Sequence, residues 1–324
     1  MAFLAEFGAY LPERVVPNSE MAALAGCEAE WILSVSGIEE RRFAAEGETV
    51  AELAVKAAED CLSRAGVAAS ELGLVLLASG SAERRFPGPA GEVAARLGLE
   101  GVPAIDLPMA SAGALFGLHL AARMAAVHGR VLVIGAEKMS GVVLREPREA
   151  GIAVLFGDGA GACLVSPDAG RARIVDSLIS SDGAFAGDLR LEFGRPLEMN
   201  GRVVILQASR KIPRAIGDLL ARNSRAASEV GVFLMHQANL NLIVRVAKAL
   251  EVPPERFYSN IRRYGNTSSA SMLIAAAEWS RSEGFRPGIP VVLAAFGAGF
   301  HWGAMLVEGS DVRRCQTLRP AMPN

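Results

Sequence analysis

The sequence is poor in cysteine, and the few cysteines it has are scattered. Cys27, Cys61, Cys163 and Cys315 are the four among 324 residues, and no two of them form a CxxC pair. This usage argues against a disulfide framework and a zinc site, and it is typical of a protein from a reducing compartment. We therefore expect no bound metal.

Charge and long apolar stretches are also scarce. Charged residues make up 21% of the chain and the formal net charge is −2, so nothing favours binding to nucleic acid or to a membrane surface. No apolar run reaches the length of a membrane span, and the N-terminal MAFLAEFGAYLPERVV lacks the basic start and apolar core of a cleavable signal. We expect a soluble, cytoplasmic protein.

The chain is instead rich in hydrophobic residues, 51% of the total, and these are arranged in short runs. Runs of Val, Leu and Ile predict buried strands, and the amphipathic stretches between them predict helices. Their alternation indicates an α/β fold with sheets covered on both faces. The predicted strands are 73–80, 130–137, 161–166, 231–239 and 291–300, and the clearest predicted helices are 50–66, 113–129 and 240–251.

Two glycine-rich stretches echo one another. FGDGAGACLV begins at Phe156 and FGAGFHWGAMLV begins at Phe296, and both read FGxG, then GA, then an apolar pair. Each predicts a tight turn entering a strand, near the end of one of two halves with the same strand–helix alternation. We predict an N-terminal half of residues 1–166 and a C-terminal half of residues 167–324, packed together without a flexible linker.

The stretch AIDLPMASAGALFGLHLAARM, residues 104–124, places small residues between a strand and a helix. Ser111 lies at their centre and is a candidate nucleophile or helix cap. The surrounding ASAG only partly matches the G-x-S-x-G elbow of hydrolases, because Met109 stands where the first glycine belongs.

Three further features lie at predicted strand ends or helix starts. His236 ends an apolar strand in FLMHQANLNL, where α/β proteins place chemistry, although a hydrogen-bonded core histidine fits equally well. Asn266 precedes a helix and fits an N-cap when taken alone. The backbone of 297–299 offers N–H groups of the kind that an oxyanion hole needs. Taken alone, the segment also fits a simple turn.

Other polar and glycine-rich positions favour structural roles. GDGAG, residues 157–161, precedes a strand rather than a helix, which argues against a nucleotide-phosphate site. His128 precedes Gly129 and fits a helix C-terminus, and His119 lies on the same helix. His301, after the second glycine turn, fits a strand surface at least as well as a pocket.

Taken together, the motifs resemble the β-ketoacyl-acyl-carrier-protein synthase III family of thiolase-fold condensing enzymes. The matching segments, in family order, are EWILSVSGIEERR (30–42), RFPGPA (85–90), IDLPMASAG (105–113), FGDGAGA (156–162), HQANL (236–240), YGNTSSAS (264–271) and FGAGFHWGAMLV (296–307). The resemblance implies a five-layered α/β/α/β/α sandwich of two pseudo-symmetric halves and a homodimer. It also implies that Phe86 reaches towards the partner's acyl pocket.

The resemblance also implies an acyltransferase of fatty acid or polyketide biosynthesis that needs no cofactor beyond its thioester substrates. Residue 111 would take the acyl group, and His236 and Asn266 would stabilise the enolate made by decarboxylating malonyl-carrier protein. The backbone N–H groups of Ser111 and Ala298 would bind the thioester oxygen.

The chain departs from the family at the nucleophile, which is Ser111 rather than cysteine. A thiol at a helix N-terminus ionises readily, whereas a serine hydroxyl needs an adjacent base. His236 is the candidate base, and that role competes with donating a proton to an enolate oxygen. We therefore expect plain acyl transfer to be favoured over efficient condensation. A natural serine and a cysteine-to-serine replacement both fit the sequence.

The expected coenzyme A site also departs from the family. Trp31 matches the tryptophan that stacks on the adenine, but the three family arginines are replaced by Val35, Ala150 and Asn241. Losing these cations weakens the case for binding phosphates. We expect an acyl carrier protein as partner, or weak coenzyme A binding. A basic patch of Arg245 and Lys248, with Arg262 and Arg263, would face the carrier, unless it is only a solvated helix face.

Two other functions remain open at this point. Ser111, His236 and Asp158 would form a hydrolase triad in the order Ser…Asp…His, giving an esterase or thioesterase. Loss of the cysteine would also suit a non-catalytic subunit that shapes a condensing partner's pocket.

Overall fold

The computed structural model describes residues 1–311 of the chain. The predicted second half therefore continues, at 312–324, outside the described residues, as does Cys315. The strands of the described part are β1 (Phe3–Tyr10), β2 (Arg14–Pro17), β3 (Glu40–Phe43), β4 (Leu72–Ala78), β5 (Ala104–Leu107), β6 (Arg130–Lys138), β7 (Asp158–Ser166), β8 (Ala172–Ser181), β9 (Leu189–Arg190), β10 (Glu198–Met199), β11 (Val232–Met235), β12 (Pro290–Gly297) and β13 (His301–Gly309). The helices are α1 (Asn18–Ala25), α2 (Ala29–Ser36), α3 (Val50–Ala65), α4 (Pro89–Arg96), α5 (Gly113–His128), α6 (Ser140–Val143), α7 (Ala150–Ala153), α8 (Gly201–Arg222), α9 (Leu240–Ala249), α10 (Ile261–Tyr264) and α11 (Ser271–Ser282).

The predicted strands and helices are present, with small shifts at their ends. Strand 291–300 is shorter than predicted, because β12 ends at Gly297 and the chain turns before β13. Strand 231–239 is shorter as well, because β11 ends at Met235 and leaves His236 beyond the last strand residue. The α/β fold class is confirmed.

Nine strands form one hydrogen-bonded order, β11-β12-β13-β8-β1-β7-β6-β4-β5. Within it, β4 runs parallel to β6, while β6 and β7, and then β7 and β1, are antiparallel. The other end repeats this pattern, since β11 is parallel to β12, and β12, β13 and β8 follow in antiparallel pairs. The two patterns meet where β1 pairs with β8 over only two residue pairs, which joins two similar sheets into one ladder.

Five layers follow from how the helices cover these two sheets. Helix α3 packs on β1, β6 and β7, and α8 packs on β12 and β13. Helices α5 and α11 lie between the sheets and contact strands of both. Strand β7 ends at Ser166, where the sequence places the boundary between the halves, and that division stays a prediction.

Paired glycines let the start of α11 approach β6 and β7. Gly135 and Gly161 are register partners on β6 and β7. A Cβ on Gly135 would lie 2.4 Å from the carbonyl oxygen of Ser269, and one on Gly161 would lie 2.6 Å from Cβ of Leu273. Because these glycines have no Cβ, residues 269–273 can pack directly against the backbone of β6 and β7.

We predict that Gly161→Ala destabilises the fold because the new methyl group overlaps α11. The expected loss in the free energy of unfolding is about 1–3 kcal/mol, measured by urea denaturation. Gly217→Ala on α8 is the matched control, because that glycine is exposed and has no neighbouring atom within 4 Å of an added Cβ. The control is expected to gain about 0.5–1 kcal/mol. Equal stability of the two variants would contradict this account.

Candidate active site

Ser111 lies in the turn between β5 and α5, in a backbone conformation that non-glycine residues rarely adopt. Its φ is 59°, in the left-handed region, and it is 8% exposed. Helix α5 begins two residues later at Gly113, so residue 111 stands next to the helix N-terminus. A non-glycine residue in this region is held there by its surroundings.

Gly297, at the end of β12, lies directly against this turn. A Cβ on Gly297 would lie 2.4 Å from the carbonyl oxygen of Ala110, 2.8 Å from the backbone N of Ala112 and 2.9 Å from Cβ of Ser111. Only glycine fits so close to another backbone. Ala298 follows it in the turn to β13, so the sequence-predicted 297–299 segment does lie beside residue 111.

His236 follows β11, and its backbone N–H donates to the carbonyl oxygen of Ala294 at 2.9 Å. Its Nδ1 lies 2.5 Å from Oγ of Ser271, at the start of α11. The side chain is buried, and this burial lowers the pKa of His236 to about 4. The ring is therefore neutral at physiological pH.

Asn266 is held by both its backbone and its side chain. Its backbone N–H donates to the carbonyl oxygen of Leu155 at 2.9 Å, and its carbonyl oxygen accepts from Gly157 N–H at 3.1 Å. Its Oδ1 accepts from the backbone N–H of Ser268 at 2.8 Å. This bond resembles the cap expected for a lone asparagine, and it leaves the Nδ2 group available.

The segment 266–271, which we call the serine turn, connects all three candidate groups. Ser268 Oγ accepts from the backbone N–H of Ser111 at 3.0 Å, and Ser271 Oγ contacts His236. Within residues 1–311, no protein group hydrogen-bonds to Ser111 Oγ, His236 Nε2 or Asn266 Nδ2. Three nearly buried residues therefore each keep one free polar atom.

The backbone N–H of Ser111, which we expect to bind a thioester oxygen together with that of Ala298, donates to Ser268 Oγ in this structure. Its role in binding the thioester oxygen stays a prediction. The hydroxyl of Ser268 in turn donates to a carboxylate oxygen of Glu137 at 2.9 Å. That donation turns the serine lone pairs towards residue 111.

Glu137, at the end of β6, is fully buried and has no cationic partner within the described part of the chain. Neutral donors surround its two oxygens instead: Ser79 Oγ at 3.3 Å, Gly80 N–H at 3.0 and 3.1 Å, Ser81 Oγ at 2.6 Å, Ser268 Oγ at 2.9 Å and Ser269 N–H at 3.2 Å. Glu137 was not among the residues predicted from the sequence. A signal was present, since an acid near the end of the apolar run RVLVIGAEK is rarely left without partners.

Asp158 does not take part in this arrangement, so the predicted hydrolase triad is wrong. Its carboxylate accepts from Ala44 N–H at 2.8 Å, Ser140 N–H at 2.7 Å and Ser140 Oγ at 2.5 Å. The Nδ1 atom of His236, which would need an acid, faces Ser271 instead. Asp158 fixes the start of β7 rather than orienting a catalytic histidine.

The remaining histidines have local partners. His119 Nδ1 lies 2.9 Å from Ser177 Oγ, and His301 Nδ1 lies 2.7 Å from Ser181 Oγ. His128 is the last residue of α5, as predicted.

The expected binding residues lie on the surface. Trp31 on α2 is 39% exposed. Arg245 and Lys248 on α9 are exposed, and no carboxylate of the described chain pairs with either. Arg262 and Arg263 are instead paired with Glu39 and Glu278. The basic patch stays a prediction.

Asn241, where the resemblance led us to expect an arginine, hydrogen-bonds to a neighbouring helix. Its Nδ2 donates to the carbonyl oxygens of Ser34 at 3.2 Å and Val35 at 3.3 Å. Asn239 Nδ2 also donates to Val35, at 2.8 Å. These bonds tie α9 to the end of α2 and present no positive charge.

No group of His, Cys, Asp and Glu side chains in residues 1–311 is arranged to hold a metal ion. No helix among those residues has the length and hydropathy needed to cross a membrane.

Comparison with known proteins agrees with this architecture. Residues 105–183 match the family described as 3-oxoacyl-[acyl-carrier-protein (ACP)] synthase III, and residues 220–309 match its C-terminal domain. A β-ketoacyl-[acyl-carrier-protein] synthase III of Oleidesulfovibrio alaskensis is 38% identical over 328 residues, covering 95% of this chain and 98% of that protein.

Solved structures show the same likeness. The 3-oxoacyl-[acyl-carrier-protein] synthase III of Aquifex aeolicus superposes with a TM-score of 0.91 at 33% identity, over 95% of this chain and all of that one. The priming β-ketosynthase of the R1128 polyketide pathway gives a TM-score of 0.86 at 29% identity, over 95% of this chain and 97% of that one. These structures confirm the thiolase fold. By sequence and by fold, this chain belongs to the β-ketoacyl-[acyl-carrier-protein] synthase III family.

Proposed function

We propose that the chain is a condensing acyltransferase in which residue 111 takes an acyl group from a thioester and passes it to a decarboxylated malonyl thioester. One observation carries the proposal: Ser111, His236 and Asn266 each keep a free polar atom, and one buried turn holds all three. We propose that these atoms face a common substrate cavity. The family relationship supports this assignment.

The chemistry proceeds in two half-reactions. First, Ser111 Oγ attacks the thioester carbonyl carbon, a C–O bond forms, the C–S bond breaks, and the thiol leaves with the hydroxyl proton. Then the malonyl group loses CO2, its enolate carbon attacks the acyl ester, and the C–O bond to Ser111 breaks as that oxygen takes a proton from water. The enolate oxygen carries negative charge and needs hydrogen-bond donors.

The available atoms at the site favour condensation over plain acyl transfer. Asn266 offers its Nδ2–H group, because its Oδ1 is occupied by Ser268. His236 is neutral and its Nδ1 is occupied, so it offers only Nε2. A hydroxyl that lacks a strong base reacts slowly, so we propose that Ser111 slows acylation relative to cysteine while the second half-reaction keeps its donors.

We propose that the chain works as a homodimer in which Phe86 enters the partner's acyl pocket. Phe86 is 84% exposed, and Ile105 on the edge strand β5 is 41% exposed. An edge strand with exposed apolar residues favours pairing with another chain. A cavity of about 450 Å³ is lined by Arg85 and Asp106, the chain neighbours of Phe86 and Ile105, and by Leu107.

We propose that an acyl carrier protein, rather than coenzyme A, delivers the thioester. Val35, Ala150 and Asn241 offer no cation to a nucleotide phosphate, whereas Arg245 and Lys248 remain free for an acidic carrier. Trp31 would stack on the incoming prosthetic group. No further cofactor is needed for either half-reaction, and the free thiols of Cys27, Cys61 and Cys163 support a cytoplasmic location.

We predict that incubation with an acyl thioester adds one acyl mass to residue 111. Ser111→Cys should acylate at least about tenfold faster, because a thiolate forms without a base, and should yield a 3-ketoacyl product when malonyl-carrier protein is added. Intact-mass spectrometry with peptide mapping measures both. Ser111→Ala is the control and should give no adduct. The proposal fails if neither the serine nor the cysteine form acquires an adduct.

We also predict that charge reversal on α9 weakens carrier binding. The double variant Arg245→Glu, Lys248→Glu should raise the Kd for acyl-carrier protein about 5- to 20-fold at low salt, and the effect should shrink as salt is added. Arg286→Glu, an exposed arginine that precedes β12, is the matched control. Tight coenzyme A binding by the parent, together with an unchanged carrier Kd in the double variant, would contradict carrier delivery.

A further inference from the structure

Ser271, the first residue of α11, lies between two groups of the 236–237 segment. Its side chain is buried, and its Oγ is 2.5 Å from His236 Nδ1 and 3.1 Å from the backbone N of Gln237. Within residues 1–311, Ser271 Oγ makes no other hydrogen bond. The directions of the two hydrogen bonds therefore decide the state of the histidine.

Both directions follow from what each group is able to donate. The backbone N–H of Gln237 is only a donor, so Ser271 Oγ accepts from it. The serine O–H then needs an acceptor, and among residues 1–311 the only one in reach is His236 Nδ1. A buried hydroxyl left unpaired costs about 1–3 kcal/mol, so the O–H points at the ring. An accepting Nδ1 carries no proton.

We propose that Ser271 is a positioning residue that holds His236 in the tautomer protonated at Nε2, so that the ring donates to a substrate oxygen and does not accept the proton of Ser111. The proposal rests on the proposed function and assigns the direction of its central hydrogen bond. The low pKa of His236 agrees with it, because the ring then holds a single proton to place.

The same turn fixes the second donor by the same logic. The backbone N–H of Ser268 is only a donor, so it identifies the side-chain atom of Asn266 that it contacts as the oxygen, and Nδ2 is left outward. Ser268 and Ser271 thus set an amide orientation and an imidazole tautomer. Both free atoms become donors, which suits an enolate oxygen rather than activation of a hydroxyl.

Nitrogen-15 NMR of histidine-labelled protein tests the tautomer directly. The sequence has four histidines, which keeps the spectrum simple, and His236→Gln identifies the resonance. The parent protein should show a bare Nδ1 and a protonated Nε2 at neutral pH. Ser271→Ala should shift His236 towards the other tautomer or a mixture, whereas Ser271→Thr, which keeps the hydroxyl, should not.

Ser280→Ala is the matched control, since Ser280 is also a buried serine of α11 but donates to the carbonyl oxygen of Ala277. It should leave the His236 signals unchanged. In kinetics, Ser271→Ala should slow malonyl-carrier decarboxylation roughly 100-fold while acylation of residue 111 changes less than about threefold. Control and Ser271→Thr should keep both rates.

Three results would overturn the proposal. One is a parent spectrum with the proton on Nδ1, which needs no variant to fold. Another is a Ser271→Ala variant with an unchanged tautomer, and the third is an equal fall in both half-reactions, which indicates a merely structural serine. Failure of the proposed function has a different signature: a parent protein that neither acylates nor decarboxylates, whatever the tautomer of His236.

Discussion

The arrangement of the active site depends on a buried carboxylate that has no counter-ion. Glu137 lies at the end of β6 with zero exposure, and burying a charge in this way is costly unless donors surround it. Residues 79–81 supply donors from the end of β4, and Ser268 and Ser269 supply the rest. These hydrogen bonds hold the serine turn against β6 and β7, where the paired glycines Gly135 and Gly161 leave room for it.

The serine turn, which Glu137 holds in place, makes hydrogen bonds to Ser111, Asn266 and His236. Ser268 connects Glu137 to the backbone of Ser111 and also fixes the side chain of Asn266. Ser271, three residues further on, fixes the ring of His236. The result is a site that presents donors and lacks a base, which matches the demands of a developing enolate more closely than those of a serine nucleophile. The serine at 111 is the one element out of keeping with this chemistry.

Much of the fold was predictable from sequence, because apolar runs and helical periodicity report burial directly. The echo between Phe156 and Phe296 anticipated the repeated strand order, and the motifs around His236 and Asn266 placed both residues at the ends of elements. The partners of these residues were not predictable. Glu137 is far along the chain from Ser268, as Ser271 is from His236, and the hydrogen bonds between them depend on close approaches between elements. The same reason explains the error at Asp158, since spacing along the chain does not show which donor an oxygen receives.

The most direct measurement of the central claim compares two replacements of Glu137. Glu137→Gln keeps one carbonyl oxygen for Ser268 and Ser269, whereas Glu137→Met has a similar size and only a weakly accepting sulfur. Acylation at residue 111 and malonyl decarboxylation are to be measured on both, at a temperature where circular dichroism shows each to be folded. The account predicts that the methionine form loses at least about tenfold in both rates, while the glutamine form keeps most of them. A folded methionine form with undiminished rates would contradict it.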